Sequence, residues 1–209
     1  MPLQNRVTPD GEIVVDPAKG IFMGNRGILH QDNRTLGSKR WAHKNWVTCL
    51  LSFGGRKRTL MSPGRYTELF FLDEAVSLAA GHRPCGECRK LDFAHFRECW
   101  QKAHGGDFPR PNEIDRRLHQ ARVNSRSRIQ IRYSAPIDSL PDGVFVRLEG
   151  ALAPRLVRGE KLLTYSTAGY QASIARPSGL DVEVLTPSPS VEVMLAGYLP
   201  ALHPSALNL

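Results

Sequence analysis

Two cysteines three residues apart, Cys85 and Cys88, sit in the segment HRPCGEC at 82–88. A C-x-x-C turn constrains a chain more tightly than the apolar pattern around it, because it brings two thiols to one point and offers backbone N–H groups to their sulfur charge. Such a pair is either part of a metal site or a redox dithiol. The redox reading wants the pair to open a helix in a thioredoxin-like βαβ context, and the flanking sequence lacks that context. With Cys49 and Cys99 the chain has four cysteines in 209 residues. They are too few and too unevenly spaced for a secreted disulfide scaffold, so a reducing, cytoplasmic compartment is expected.

Around the turn the hydrophobic period changes twice. Through Met61, short apolar runs (EIVV at 12–15, GIFM at 20–23, ILH at 28–30, WVTCLLSF at 46–53) alternate with Gly- and Asn-rich turns, and Gly54-Gly55 supplies the positive φ of a hairpin. A short helix follows, with Asp73 as its N-cap and Gly81 as its left-handed stop. A second helix is capped by Asp92, carries Phe93, Phe96 and Trp100 on one face and ends at Gly105-Gly106. Cys99 lies well inside it and reads as core. A third helix is expected over 112–123. From Ser125 alternation returns: RSRIQIRY at 126–133 puts Ile129, Ile131 and Tyr133 on one face of a strand. GVFVRLEG, RLVRGEKLL and LDVEVLTP read likewise, and SVEVMLAGY closes as a short helix stopped by Gly197.

The segment FFLDEAVSLAAGHRPCGECRK resembles the C-terminal half of the Ada-type zinc-binding domain of bacterial alkylation-response proteins, a domain also appended to some nucleases. The family pattern is matched at Phe70, Phe71, Ala79, Ala80, Gly81, Arg83, Pro84, Cys85 and Cys88, with His82 in place of an aromatic. The resemblance covers about twenty of the 209 residues. It implies a zinc ion on four protein ligands, two from the C-x-x-C and two upstream across a β-hairpin. In the alkylation-response proteins the upstream pair are cysteines, one of which accepts a methyl group from a DNA phosphotriester. Shorter relatives use a His and a Cys after a Gly-Asn turn, and GNRGILH at 24–30 is similar to that arrangement. The implied set is His30, Cys49, Cys85 and Cys88 around Zn2+. Cys49 read by itself, in an apolar run, is a small core residue, and the fourth ligand has rival candidates in His43, His82 and Cys99.

The formal charge of +8 is unevenly spread: residues 1–18 carry a net −2, residues 19–132 a net +12, and residues 133–209 a net −2. A basic block between weakly acidic flanks suits a face that meets a polyanion, since each neutralised phosphate releases counterions. Most of the block's cations are arginines, whose planar fork matches phosphates and base edges. Three clusters stand out. SKRWAHKNW at 38–46 offers Lys39, Arg40, Trp41, Lys44 and Trp46; GGRKR at 54–58 offers Arg56, Lys57 and Arg58; RVNSRSRIQIR at 122–132 offers Arg126 and Arg128. Tryptophans among cations can pair phosphate contact with stacking, or they can be core anchors of the sheet.

The expected architecture is α+β: a β-hairpin-rich zinc module with short helices over 1–108, a basic helix-and-strand connector over 109–137, and a small β-rich C-terminal domain over 138–209. The expected function is a zinc-stabilised, non-catalytic DNA-binding protein. Its rivals are a repair-type methyl acceptor with Cys49 as nucleophile, a nuclease using Asp115 and His119 four apart on the third helix, and a zinc-stabilised protein-interaction module. No stretch of about 18 apolar residues and no signal-like leader occurs, so neither membrane insertion nor standard export is expected.

Overall fold

In the computed structural model, which describes residues 1–55, 59–207 and 209, the alternating segments make two six-stranded sheets and the periodic ones four helices; the chain is α+β. The first sheet is built from β1 (Gln4–Val7), β2 (Ile13–Val15), β3 (Phe22–Asn25), β4 (Val47–Leu50), β5 (Leu69–Phe71) and β6 (Arg83–Pro84), in the order β2-β1-β5-β3-β4-β6. The β1–β5 and β4–β6 pairs are parallel and the others antiparallel. The run ILH at 28–30 is not a strand: His30 forms only an isolated bridge with Leu36.

Helix α1 (Glu74–Ala79) has the expected ends. The Asp73 carboxylate accepts the Val76 N–H at 3.0 Å, and Gly81 follows with φ +81°. Glycine is required there twice over, since a Cβ would also stand 2.4 Å from Cδ of the buried Arg122. Helix α2 (Lys90–His104) starts earlier than expected, with Arg89 at the N-cap. Asp92 falls inside the first turn, where it accepts from Arg89 Nε at 2.9 Å and faces the positive end of the helix dipole. Phe93, Phe96, Cys99 and Trp100 are buried, as are Ile114 and Leu118 of α3 (Pro111–Arg122).

The second sheet is fully antiparallel: β7 (Tyr133–Pro136), β8 (Phe145–Arg147), β9 (Arg155–Arg158), β10 (Lys161–Ser166), β11 (Gly169–Ala175) and β12 (Asp181–Val184), in the order β11-β10-β9-β8-β12-β7, followed by α4 (Ser188–Leu195). The strand expected over 126–133 does not form. Asn124 Oδ1 accepts the N–H groups of Arg126 and Ser127 in a tight turn, and Ile129 is 63% exposed. Gln130 pairs only as an isolated bridge with Val123, and its side-chain amide donates to the carbonyls of Pro9, Ala79 and Leu185.

One hydrophobic core draws on both sheets, and the other on the second sheet and the helices. Phe145, Leu156 and Leu163 pack with Leu69, Phe71, Ala75 and Ala79 in one; Val144, Val146 and Val182 join Leu78, Phe96, Ile114 and Leu118 in the other. A polar seam runs between them at the start of α1. Asp73 accepts from Tyr170 Oη at 2.8 Å and His203 N–H at 3.1 Å, while Glu74 accepts from Tyr198 Oη at 2.6 Å and Ala201 N–H at 3.0 Å and pairs with Arg89 at 2.8 Å. His203 thereby ties the C-terminal segment down, and its ring Nδ1 accepts the Ser205 N–H at 3.2 Å. Among the described residues no helix is long and apolar enough to cross a membrane.

Candidate metal centre

The period-two alternation of β4 separates two neighbours. Thr48 turns inward, where its hydroxyl donates to Ser77 Oγ at 2.8 Å, and Cys49 turns outward. Its apolar run therefore does not make Cys49 a core residue. The short parallel ladder of β4 with β6 aligns Thr48 with Pro84, and the Cys85 N–H donates to Thr48 O at 2.9 Å. That register sets Cys85 beside Cys49. The turn then folds back, so that Leu50 N–H donates to Cys88 Sγ and Glu87 N–H to Cys85 Sγ, each at 3.4 Å.

The sulfurs of Cys49, Cys85 and Cys88 all lie within 4.8 Å of one another. Tetrahedral zinc with Zn–S bonds of about 2.3 Å would space its sulfurs about 3.8 Å apart, so the trio fits one such ion. Backbone N–H donors on two of the sulfurs are the outer contacts that orient metal-binding thiolates. The hydrogen bond from the Cys49 thiol pulls Cys85 down to about 5 and holds the Cys49 proton well above its ordinary range, while burial raises Cys88. Three thiolates this close repel one another, and a divalent cation is what lets all three ionise together. The trio lines a groove of about 700 Å³ whose apolar wall includes Met23, Leu50, Leu51, Phe53, Leu60 and Phe70. That wall was not foreseen from the sequence; its members come from four separate stretches of chain.

His30 is not brought to the trio. Its Nδ1 lies 2.7 Å from Thr67 Oγ1 and its Nε2 3.2 Å from Ser62 O, so both nitrogens are already engaged. His82 is fully buried between Phe71 and Trp46, with ring centroids 4.7 and 5.3 Å away; it donates to Val47 O and accepts from Arg26 Nε. Desolvation lowers its pKa and keeps it neutral, so it fills the space of an aromatic. Cys99 is buried in α2, and His43 is exposed.

Two of the three basic clusters meet. Lys39, Arg40, Lys44, Arg126 and Arg128 are exposed, and Arg128 Nη1 donates to Ser38 O at 3.0 Å, joining the 38–46 and 122–132 loops. The third, Arg56, Lys57 and Arg58, lies outside the described residues. Trp41 is half-buried and remains at the surface. Trp46 is a correction to the stacking expectation: it is 1% exposed, its Nε1 donates to His43 O at 2.9 Å, and the guanidiniums of Arg26 and Arg122 stand over its ring. Sequence reasoning missed these two arginines, because nothing local distinguishes a buried guanidinium from a surface one.

Asp115 and His119 do not pair with each other. Asp115 is buried and held bidentate by Arg83 at 2.8 Å on both oxygens, and His119 Nδ1 lies 3.1 Å from Arg122 Nη2. Burial, then the Arg122 charge, lowers His119 to about 4. Each side chain is engaged with an arginine and not with the other.

Compared with protein-family models, with curated proteins and with solved structures, the chain matches none.

Proposed function

We propose that the chain is a zinc protein that binds DNA, the ion tying β4 to the turn after β6 while the exposed cations of the 38–46 and 122–132 loops meet the phosphate backbone. The single observation that carries the metal half is the convergence of three sulfurs from sequence positions 36 residues apart. When bound, zinc keeps the sulfurs as thiolates and contributes folding free energy outright. Support for the nucleic-acid half is the central charge of +12 and the joining of two cationic loops on one surface. Metal content and thermal stability of Cys85→Ser test the first half: the variant should lose the ion and melt well below the wild type. Retention on DNA as a function of salt tests the second, since phosphate contacts give a steep logarithmic salt slope and protein contacts need not.

A second reading has its own observation. Only three sulfurs converge, and all three face the groove, which leaves room for a reacting group beside them. A thiolate there would attack the methyl carbon of a DNA methylphosphotriester, forming an S–CH3 bond and releasing the phosphodiester anion. Incubation with methylated DNA should then add one methyl group to a cysteine of the trio by mass spectrometry; no adduct removes this reading and leaves the structural zinc.

A further inference from the structure

Away from the metal centre two buried arginines form no ion pair among the described residues, and Glu12 is the carboxylate acting on Arg26. Arg26 and Arg122 are 2% and 1% exposed, with guanidinium carbons 4.1 and 3.7 Å from the centroid of the Trp46 ring. Arg26 donates to His82 Nε2 and Gly11 O; Arg122 donates to Gly81 O, Lys44 O and His119 Nδ1. All of these acceptors are neutral. The nearby carboxylate of Asp115 is taken by Arg83, and among the described residues neither arginine enters an ion pair. Among the described residues Arg26 Nη2 and Arg122 Nε have no hydrogen-bond partner. Burial draws Arg26 down to about 9, which still leaves it cationic at neutral pH. Two desolvated cations on one ring are costly unless an anion completes them, because cation–π contact returns less than the lost hydration.

Both arginines line one small recess, and its mouth carries the exposed Arg40 and Arg128 and the half-buried Trp41. The recess holds about 20 Å³, room for a water or for one ligand atom. Two carboxylates also line it. Asp10 is spent, since it bridges Arg132 and Arg147, which share Glu183. Four guanidiniums then face Glu12 alone.

We propose that this recess is a phosphate site: one oxygen of the oxyanion enters beside Arg26 and Arg122, and Arg40 and Arg128 hold the remaining oxygens at the mouth. Arginine forks bind phosphate through paired N–H donors, and partial desolvation strengthens each bond. The 38–46 and 122–132 loops, joined by the Arg128 to Ser38 bond, bring the two outer forks together. The source of the oxyanion rests on the nucleic-acid reading above, which makes it a backbone phosphodiester; free inorganic phosphate presents the same chemistry.

The test uses the full chain with two probes. Sodium phosphate, balanced for ionic strength with sodium chloride, should raise the melting temperature of the wild type. The exposed double variant Arg40→Gln, Arg128→Gln should keep the fold and bind phosphate about tenfold more weakly, a 1.4 kcal/mol loss. Arg26→Gln should abolish the phosphate effect, with its own melting curve as the control for folding. On duplex DNA the double variant should lower the logarithmic salt slope by about 0.9, the value for one phosphate contact. Phosphate stabilisation with no retention of the wild type on DNA keeps the site, assigns it to free phosphate, and removes the nucleic-acid reading. DNA retention with an unchanged slope, together with equal melting in phosphate and chloride, overturns the site and leaves the nucleic-acid reading standing.

Discussion

Two side chains of α3 are each matched to one partner, and each partnership has a measurable consequence. The Arg83–Asp115 pair is buried at both ends and fixes β6, the strand that leads into the C-x-x-C turn, against α3. Asp115→Ala strands the guanidinium and should lower unfolding stability by about 3–5 kcal/mol, read by denaturant titration; a loss under 1 kcal/mol would mean that the pair is screened. His119 contributes an acid-side pH dependence of the same sign as a carboxylate with a lowered pKa. Its folded pKa, about 4, lies below the ordinary 6.5, so the neutral ring is the folded form. The stability it contributes is full above pH 6.5 and is lost as the pH falls toward 4, with a slope of up to about 1.4 kcal/mol per pH unit. His119→Gln should flatten that part of the melting-temperature profile, and parallel profiles for the two proteins would contradict the assignment. The histidines also show where side-chain roles escape sequence reading. His30 and His82 look equally able to bind a metal, and only Thr67, Ser62, Val47 and Arg26, distant in sequence, decide that both rings are used otherwise.

At the scale of elements, the most consequential feature is the shortest. The β4–β6 ladder spans two residues, yet it sets Cys49 against Cys85. Just before β6 the chain turns on Gly81, which has φ +81° and no room for a Cβ beside Arg122. Gly81→Ala should cost about 2–3 kcal/mol, combining left-handed strain with displacement of a packed side chain. Gly197→Ala is the control: its φ is +112° but the space around it is open, so it should cost only about 1 kcal/mol. Equal costs would mean that the Arg122 contact carries no weight. Helices were legible because their signals are local: Asp73, Gly81 and the Phe93–Phe96–Trp100 face act within a few residues of themselves. Strands were legible only where alternation and burial coincide. RSRIQIRY alternates but has no buried partner for Ile129, and β1 and β11 carry no alternation strong enough to announce them. The parallel β4–β6 pairing joins segments 36 residues apart, which no local pattern encodes.

The whole molecule is held by a core that neither sheet completes alone. Phe145, Leu156 and Leu163 lie against Phe71 and Ala75, and Asp73 and Glu74 take hydrogen bonds from Tyr170, Tyr198, Ala201 and His203. The first sheet and the C-terminal strands should therefore melt in one cooperative transition by calorimetry, and a resolved second transition would show that the shared core does not couple them. The convergence of three cysteines was legible at this scale from the C-x-x-C and the single upstream cysteine. The cationic surface was legible in composition, but its depth was not, since Arg26, Arg122 and Trp46 belong to the interior. The central claim is that Cys49, Cys85 and Cys88 hold one zinc ion without His30, and metal content per chain by elemental mass spectrometry tests it most directly. One zinc in the wild type and in His30→Ala, with little or none in Cys49→Ser, is the predicted result; no metal in the wild type, or loss of zinc on changing His30, would contradict it.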